Sequence, residues 1–356
     1  MARNVTLFFF IFLTSLAFAH PSENISVSGD SGSKNEKFNP GEMIMHHIID
    51  SHEWHILDWK EHSISIPLPI IIFHEGKGLK SFMSSKFNHG KTSYLGYKMD
   101  HGKIVAIDSS GSINKEETQK LWDFSITKNV FSLFFSIIIM LIVFLRISKI
   151  YIRNANQTPR GLQGFLEIMI LFVRDDIAKP SIGNKHYKKY MPFLLTVFFF
   201  IWLNNLLGLI PLFPGGANLT GNIAVPMILA AMVFIITILS AKKTYWQHIF
   251  AMPGVPKPVL LILTPVEIMG MLLKPFVLMI RLFANITAGH IIILSFFSLI
   301  FIFGEINLGA GYGASIMSVA FVIFMSFLEI LVAFLQAYVF TLLSAIYFGN
   351  AVEEEH

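Results

Sequence analysis

The chain has 356 residues, 54% of them hydrophobic and only 14% charged, with 35 Phe and a mean hydropathy of +0.61. That balance belongs to a polytopic membrane protein, and the modest net charge of +4 sits beside apolar runs, where it speaks of topology and not of nucleic acid. No cysteine is present, which excludes disulfides, thiolate zinc sites, iron–sulfur clusters and cysteine nucleophiles.

Residues 1–19 join a basic start at Arg3 to an apolar run and the small-residue ending Ala17-Phe18-Ala19. This is the pattern of a secretory signal peptide, which leaves the following chain outside the cytoplasm. An uncleaved anchor helix is the alternative, although the apolar core is shorter than the roughly 17 to 25 residues a span needs.

Residues 20–123 are polar and read as an extracytoplasmic extension. The low-complexity linker SENISVSGDSGSKNEKFNPGE predicts disorder to about Met43. MIMHHIIDSHEWHILDW then has helical spacing, and SISIPLPIIIF and KTSYLGYKMDHGKIVAID read as strands joined by glycine turns. His46, His47, Asp50, His52, Glu53 and His55 are metal-ligand types. His46 and Asp50, four apart, could share a helical face, but without HExxH or another defined spacing the stretch reads as an amphipathic surface helix, and neither a metal nor a cofactor is predicted.

Residues 124–356 form the membrane domain. The first span, about 129–145, runs into Arg146, Lys149, Arg153 and Arg160, a cation cluster that marks the cytoplasmic side. GLQGFLEIMILFVRDDIAKP is broken by Glu167, Arg174, Asp175 and Asp176, so it is expected along the interface. Spans at about 191–210 and 223–240 flank a cation-free loop, and the chain returns to Lys242, Lys243 and Lys257 where alternation requires.

Two long runs remain, about 264–303 and 314–348. A helix from Ala314 to Phe348 would be about 50 Å long against a hydrocarbon core of about 30 Å, so it must tilt steeply, break or project. The glycines of GEINLGAGYGA predict a hairpin turn between the two. The expected fold class is an all-α polytopic membrane protein of about five membrane helices, including this hairpin, with a small N-terminal extracytoplasmic segment and a cytoplasmic tail NAVEEEH.

Charge inside these runs needs a reason, since an ionised side chain at the centre of a membrane helix costs roughly 2.5 to 3.5 kcal/mol. Glu267, Lys274 and Arg281 recur every seven residues and share one stripe, with Asn285 one turn beyond. His290 lies half a turn away from Arg281. On the second run Glu329 and Gln336 are again seven apart, with Tyr347 near the same face. Distance from the turn predicts that the hairpin pairs Glu329 with His290 and Gln336 with Arg281 and Asn285.

Each has a plainer reading. Glu267 completes a capping box with Thr264 and Pro265; Lys274 snorkels to the cytoplasmic surface; Asn285 and Gln336 glue helices together. Arg281 resists such treatment, because it lies well inside the run and cannot shed its proton.

Arg281-Leu282-Phe283-Ala284-Asn285, with Lys274-Pro275 before it and LQAYVFTLLSAIYF after it, resembles subunit a of the rotary F-type ATP synthases over roughly Phe124 to the terminus. The acidic, His-ended tail is similar to bacterial members. The resemblance implies a stator subunit of a proton motor in the bacterial inner membrane, not an enzyme by itself, with two offset half-channels. It implies as partners a ring of c subunits, peripheral-stalk b subunits, the soluble catalytic headpiece indirectly, and lipid.

It also implies that Arg281 is the stator arginine facing ring carboxylates, with Asn285 and Gln336 as polar neighbours and Glu267 as a half-channel acid. His290 and Glu329 match positions that hold an acid and a His in many bacterial members, exchanged here as in mitochondrial relatives. On this reading His290, Glu329 and Glu267 line the outer path, while Tyr347 and Ser344 are weaker candidates for the inner one. Gly208 departs from the pattern by standing where many bacterial relatives place an Asp, and the external extension is unusually long. The rival class is an ion channel or secondary transporter of another family, which intramembrane Arg, His and Glu residues would also suit.

Overall fold

The computed structural model describes residues 39–353 apart from 60–61, 101, 154–157, 211–212 and 253. The signal-peptide expectation for residues 1–19 and nearly all of the predicted linker lie outside the described residues.

The external part begins with α1 (Pro40–Ile48) and strands β1 (Glu53–Trp59), β2 (His62–Pro67), β3 (Pro69–His74) and β4 (Gly78–Met83). The hairpin β5 (Tyr97–Asp100) and β6 (Lys103–Ala106), the short helix α2 (Lys115–Gln119) and β7 (Leu121–Asp123) complete it. β1 pairs with β2, and β3 lies between β4 and β7, all antiparallel. Alternation along β3 turns Ile70, Ile72 and His74 inward, where the two isoleucines pack with Phe87, Tyr97 and Ile104.

The helical reading of MIMHHIIDSHEWHILDW holds only as far as Ile48; Glu53–Trp59 is a strand. Short apolar runs fit either period, and here the partner strand β2 decides. His52, buried in the turn between them, lies 3.3 Å from Asp123. Burial pushes the Asp123 carboxyl up, but bonds from His52 and Ser125 outweigh it and hold the group below the ordinary carboxylate range.

The membrane part starts at α3 (Lys128–Arg153), longer at both ends than the predicted span. Its N-terminus is capped from a distance: Asn129 N–H donates to Asp50 Oδ1 at 3.0 Å and Thr127 Oγ1 to Asp50 Oδ2 at 2.7 Å. The predicted interfacial stretch is α4 (Leu162–Phe172), continued by a π-helical turn and one more α turn to Ile182. The continuous helix from Leu162 to Ile182 carries Glu167, Arg174, Asp175, Asp176 and Lys179, a charge density that suits an interface and not a bilayer core. Its charges answer one another, Arg174 and Lys179 both bonding Asp175.

Then come α5 (Tyr187–Leu209) and α6 (Ala224–Ser240), after which the chain bends by 104° into α7 (Lys243–Phe250). Two very long helices follow, α8 (Lys257–Ile306, 50 residues) and α9 (Leu308–Val352, 45 residues), packed along each other as a hairpin. At about 1.5 Å per residue α8 is about 75 Å long, so both exceed a bilayer core even more than expected.

Two local readings are corrected here. The predicted capping box does not form, since α8 begins seven residues before Thr264, with Pro258 in its first turn. The glycines after Glu305 do not make the turn either. Asn307 makes it, its side chain accepting from Gly309 N and Ala310 N to cap α9. The glycines instead let the helices close up: a Cβ on Gly311 would stand 2.9 Å from Gly304 Cα.

The ends of these helices sort into two groups. At one, Lys242 N–H donates to Ala351 O at 2.9 Å, Tyr190 stacks on Phe348, and Ser181 meets Gly349. At the other, Trp54 of the external part packs edge-on against Phe131 of α3 and Phe213 of the loop after α5. The cation-rich loop at Lys242 and Lys243 and the C-terminal end of α9 thus share one end of the bundle.

Candidate functional site

The inner helices and the hairpin differ in how much of them is covered. The most apolar stretch of α5 is 50% buried, whereas those of α8 and α9 are 11% and 17% buried. Leu278 and Leu282 turn inward from α8, while Val277, Ile280, Ala284 and Ala288 lie on an uncovered apolar face. Arg281 stands at the border of that face, half-buried. Among the described residues no carboxylate pairs with it and no hydrogen bond joins it to Asn285 or Gln336. Asn285 is exposed on α8 and Gln336 is buried on α9, so the predicted three-residue cluster is not a bonded one.

His290 and Glu329 do come together. His290 Nδ1 lies 3.1 Å from Ile286 O, one turn back on its own helix, and 3.6 Å from Glu329 Oε1 across the hairpin. Both residues are largely buried, and each lies beside a glycine, though only Glu329 needs the missing side chain. A Cβ on Gly289 would collide with Glu329 Oε1, and one on Gly208 would lie 3.9 Å from His290 Nε2. Glu329 also borders a cavity of about 520 Å³ lined by Leu206 and Leu209 of α5, Phe297 of α8 and Ser326 of α9.

Below this level α5 carries a buried amide pair. Thr220 Oγ1 donates to Asn205 Oδ1 at 2.7 Å, and Asn205 Nδ2 donates to Ala333 O, one turn from both Glu329 and Gln336. Asn204 Nδ2 donates to Phe200 O, and among the described residues its Oδ1 has no partner.

Glu267 belongs elsewhere. It sits 23 residues before His290, about 34 Å along α8, and within electrostatic reach of Tyr245 on α7. It therefore cannot share a path segment with His290, and its expected place in the outer path is corrected to the opposite end. Lys274 holds its ammonium 5.6 Å from the centre of the Tyr347 ring, which packs with Thr237 and Tyr245 around a small gap. Arg281 is also within electrostatic reach of the Tyr347 phenol. Ser344 is fully buried and donates to Phe340 O of its own helix.

Sequence reasoning missed Gly289, Lys128 and the Asn205–Thr220 pair, saw Asp50 only as a member of the His cluster, and saw Gly208 only as a gap in a pattern. The available signal was an Asn-Asn dipeptide inside an apolar run; nothing local marks a glycine as the floor for a carboxylate on another helix. Among the described residues no three His, Asp or Glu side chains converge as metal ligands.

The family model of the ATP synthase A chain matches residues 133–349. A second model, a domain of unknown function, matches residues 43–124. The chain is 43% identical over 238 residues to ATP synthase subunit a of Chloroherpeton thalassium, covering 66% of this chain and 68% of that one. It is 45% identical over 236 residues to ATP synthase subunit a 2 of Chlorobaculum tepidum, covering 65% and 64%. To ATP synthase subunit a of Anaeromyxobacter sp. it is 38% identical over 270 residues, covering 72% and 62%.

Proposed function

The chain belongs to the ATP synthase A chain family, and on that footing we propose how its own residues carry protons. As a member it is the proton-translocating subunit of the membrane sector Fo, a multi-pass membrane protein that works within a complex and is not a catalytic enzyme by itself. A transporter of another family is thereby set aside.

The uncovered face of the hairpin is the docking face for a ring of c subunits, and Arg281 is the stator arginine that meets each ring carboxylate in turn. One observation carries this: a guanidinium midway along α8 borders an apolar face, and among the described residues no carboxylate pairs with it. A permanent cation there favours the ionised form of an approaching carboxylate and so releases its proton. Since Arg stays protonated, it also bars a direct proton hop between the two half-channels. Protons then cross only by riding the ring, and each charge moved through the full potential releases about 2.3 kcal/mol per 100 mV.

The outer half-channel leads past His290 and Glu329, with Asn205 and Gln336 between that pair and Arg281. An imidazole beside a carboxylate suits proton relay. The inner half-channel uses the opposite end of α8, with Glu267, Lys274 and Tyr347, and Ser344 nearby. The domain plan is a signal peptide at 1–19, an extracytoplasmic extension at 20–123 and a membrane domain at 124–356 in the bacterial inner membrane, its C-terminus cytoplasmic. Clustering of the Lys242 end with Ala351 supports that orientation. Peripheral-stalk b subunits hold the chain, and the catalytic headpiece is reached indirectly.

Crosslinking tests the ring-facing assignment cleanly, because the chain has no cysteine of its own. Cysteines at Ala284 and Ala288 should form disulfides with a cysteine placed beside the ring carboxylate, and one at buried Leu194 of α5 should not. A ring that never crosslinks to the first two positions overturns the assignment.

A further inference from the structure

We propose that protons reach His290 from beneath the external segment, along an inward polar stripe of α3 formed by Lys128, Asn129, Ser132 and Ser136. The route rests on the reading above, in which His290 and Glu329 belong to the outer path.

Positions 128, 132 and 136 succeed one another every fourth residue, one face of a helix, and Asn129 adjoins it. All four are buried, at 9%, 5%, 1% and 0% exposure in chain order, whereas Ile138, Leu141 and Leu145 of the same helix point outward. A span that shows apolar residues to its surroundings and turns polar ones inward is lining something wet or bonded. Ser136 Oγ donates to Leu133 O of its own helix, but the bonding is incomplete: among the described residues Asn129 Oδ1 is buried with no partner, a state that water relieves where polar groups cluster.

Depth supports the same route. α3 and α5 pack antiparallel, with Phe131 against Phe213 near one end and Phe144 against Phe199 near the other. Counting eight residues back from Phe144 and eight on from Phe199 brings Ser136 level with Leu207, next to Gly208. Gly208 is the backbone on which His290 rests. The stripe thus descends from Lys128 to the level of His290, and Lys128 itself is within electrostatic reach of both Asp50 and His290.

The external segment supplies the roof. Ser51 O accepts from Lys128 N–H at 2.9 Å, Asp50 caps the helix start, and Trp54, 4% exposed, wedges between Phe131 and Phe213. Segment 50–54 therefore closes over the outer end of the stripe, anchored to the backbone where α3 begins.

The test uses the assembled ATP synthase in membrane vesicles, cysteine-free elsewhere, with silver ion added from the external side as a thiol-seeking probe of proton-sized paths. Silver should abolish most proton-driven ATP synthesis in Ser132→Cys and Ser136→Cys, and spare Ile138→Cys on the outward side of α3. In Lys128→Ala with Ser132→Cys the block should develop severalfold faster, because the buried side chain that fills the mouth is gone; an unchanged rate removes Lys128 from the mouth. A block through Ser326→Cys alone would mean that protons arrive by the cavity beside Glu329, overturning this route and leaving the His290–Glu329 reading intact. If no position responds the route is also wrong, and if His290→Ala then synthesises at the full rate, the outer-path reading falls with it.

Discussion

His290 and Glu329, 39 residues apart in the chain, face each other at 3.6 Å across the α8–α9 hairpin, and Glu329 depends on Gly289 for its seat. The turn at Asn307 brings them level, so the register of the whole hairpin sets this one distance. Residues in direct contact typically couple by about 0.5–3 kcal/mol. Replacing either residue by Ala is expected to lower ATP-driven proton pumping by about tenfold or more. The exchange His290→Glu with Glu329→His should pump faster than His290→Glu or Glu329→His alone. A double variant no better than the weaker single would show that the two positions act independently.

Gly289 offers a sharper steric test. Its missing Cβ is the space Glu329 Oε1 occupies, so Gly289→Ala must push the carboxylate away at a cost of about 1–3 kcal/mol. Pumping should fall, and shortening the partner with Glu329→Asp in the same chain should restore part of it. Quinacrine quenching in inverted vesicles gives the comparison.

Arg281→Lys keeps a positive charge yet is expected to reduce proton-driven ATP synthesis to under about a tenth, because a buried ammonium can deprotonate and lacks the planar fork. Normal synthesis in this variant would remove the requirement for a cation that never titrates.

Asp50 is the long-range cap of α3, accepting from Asn129 N–H. Asp50→Ala should cost about 1 kcal/mol, read as a lower temperature for loss of the subunit from the detergent-solubilised complex. Asp50→Asn, which retains an acceptor oxygen, should lie between the two.

The external part should weaken in acid over a definite window. Bonds from Lys77 and Lys120 hold the Glu117 carboxyl down from the usual 4.5 to about 2. A pKa lower in the folded than in the unfolded chain adds stability that is fully present above about pH 4.5 and is lost as pH falls toward 2. Tryptophan emission from Trp122, on the strand that follows Glu117, should report a loss of order across that window. Glu117→Gln should flatten it.

What the residue order determined by itself was everything that depends on a run of neighbours. Apolar stretches gave the spans, cations beside them gave the alternation, and the two runs too long for a bilayer gave the tilted hairpin. Arg281 stood out because a permanent charge in an oily helix is anomalous whatever surrounds it. Only the tertiary structure decided which distant residues meet. The turn came at Asn307 and not at the glycines, since a cap needs a side-chain acceptor while glycines serve equally well for close helix contact. Glu267 went to the far end from His290 because a continuous helix separates residues by its fixed rise. Gly208, Gly289, Asp50 and Lys128 acquired meaning through partners on other elements, and a single strand of letters carries no record of the space a missing side chain leaves for someone else's.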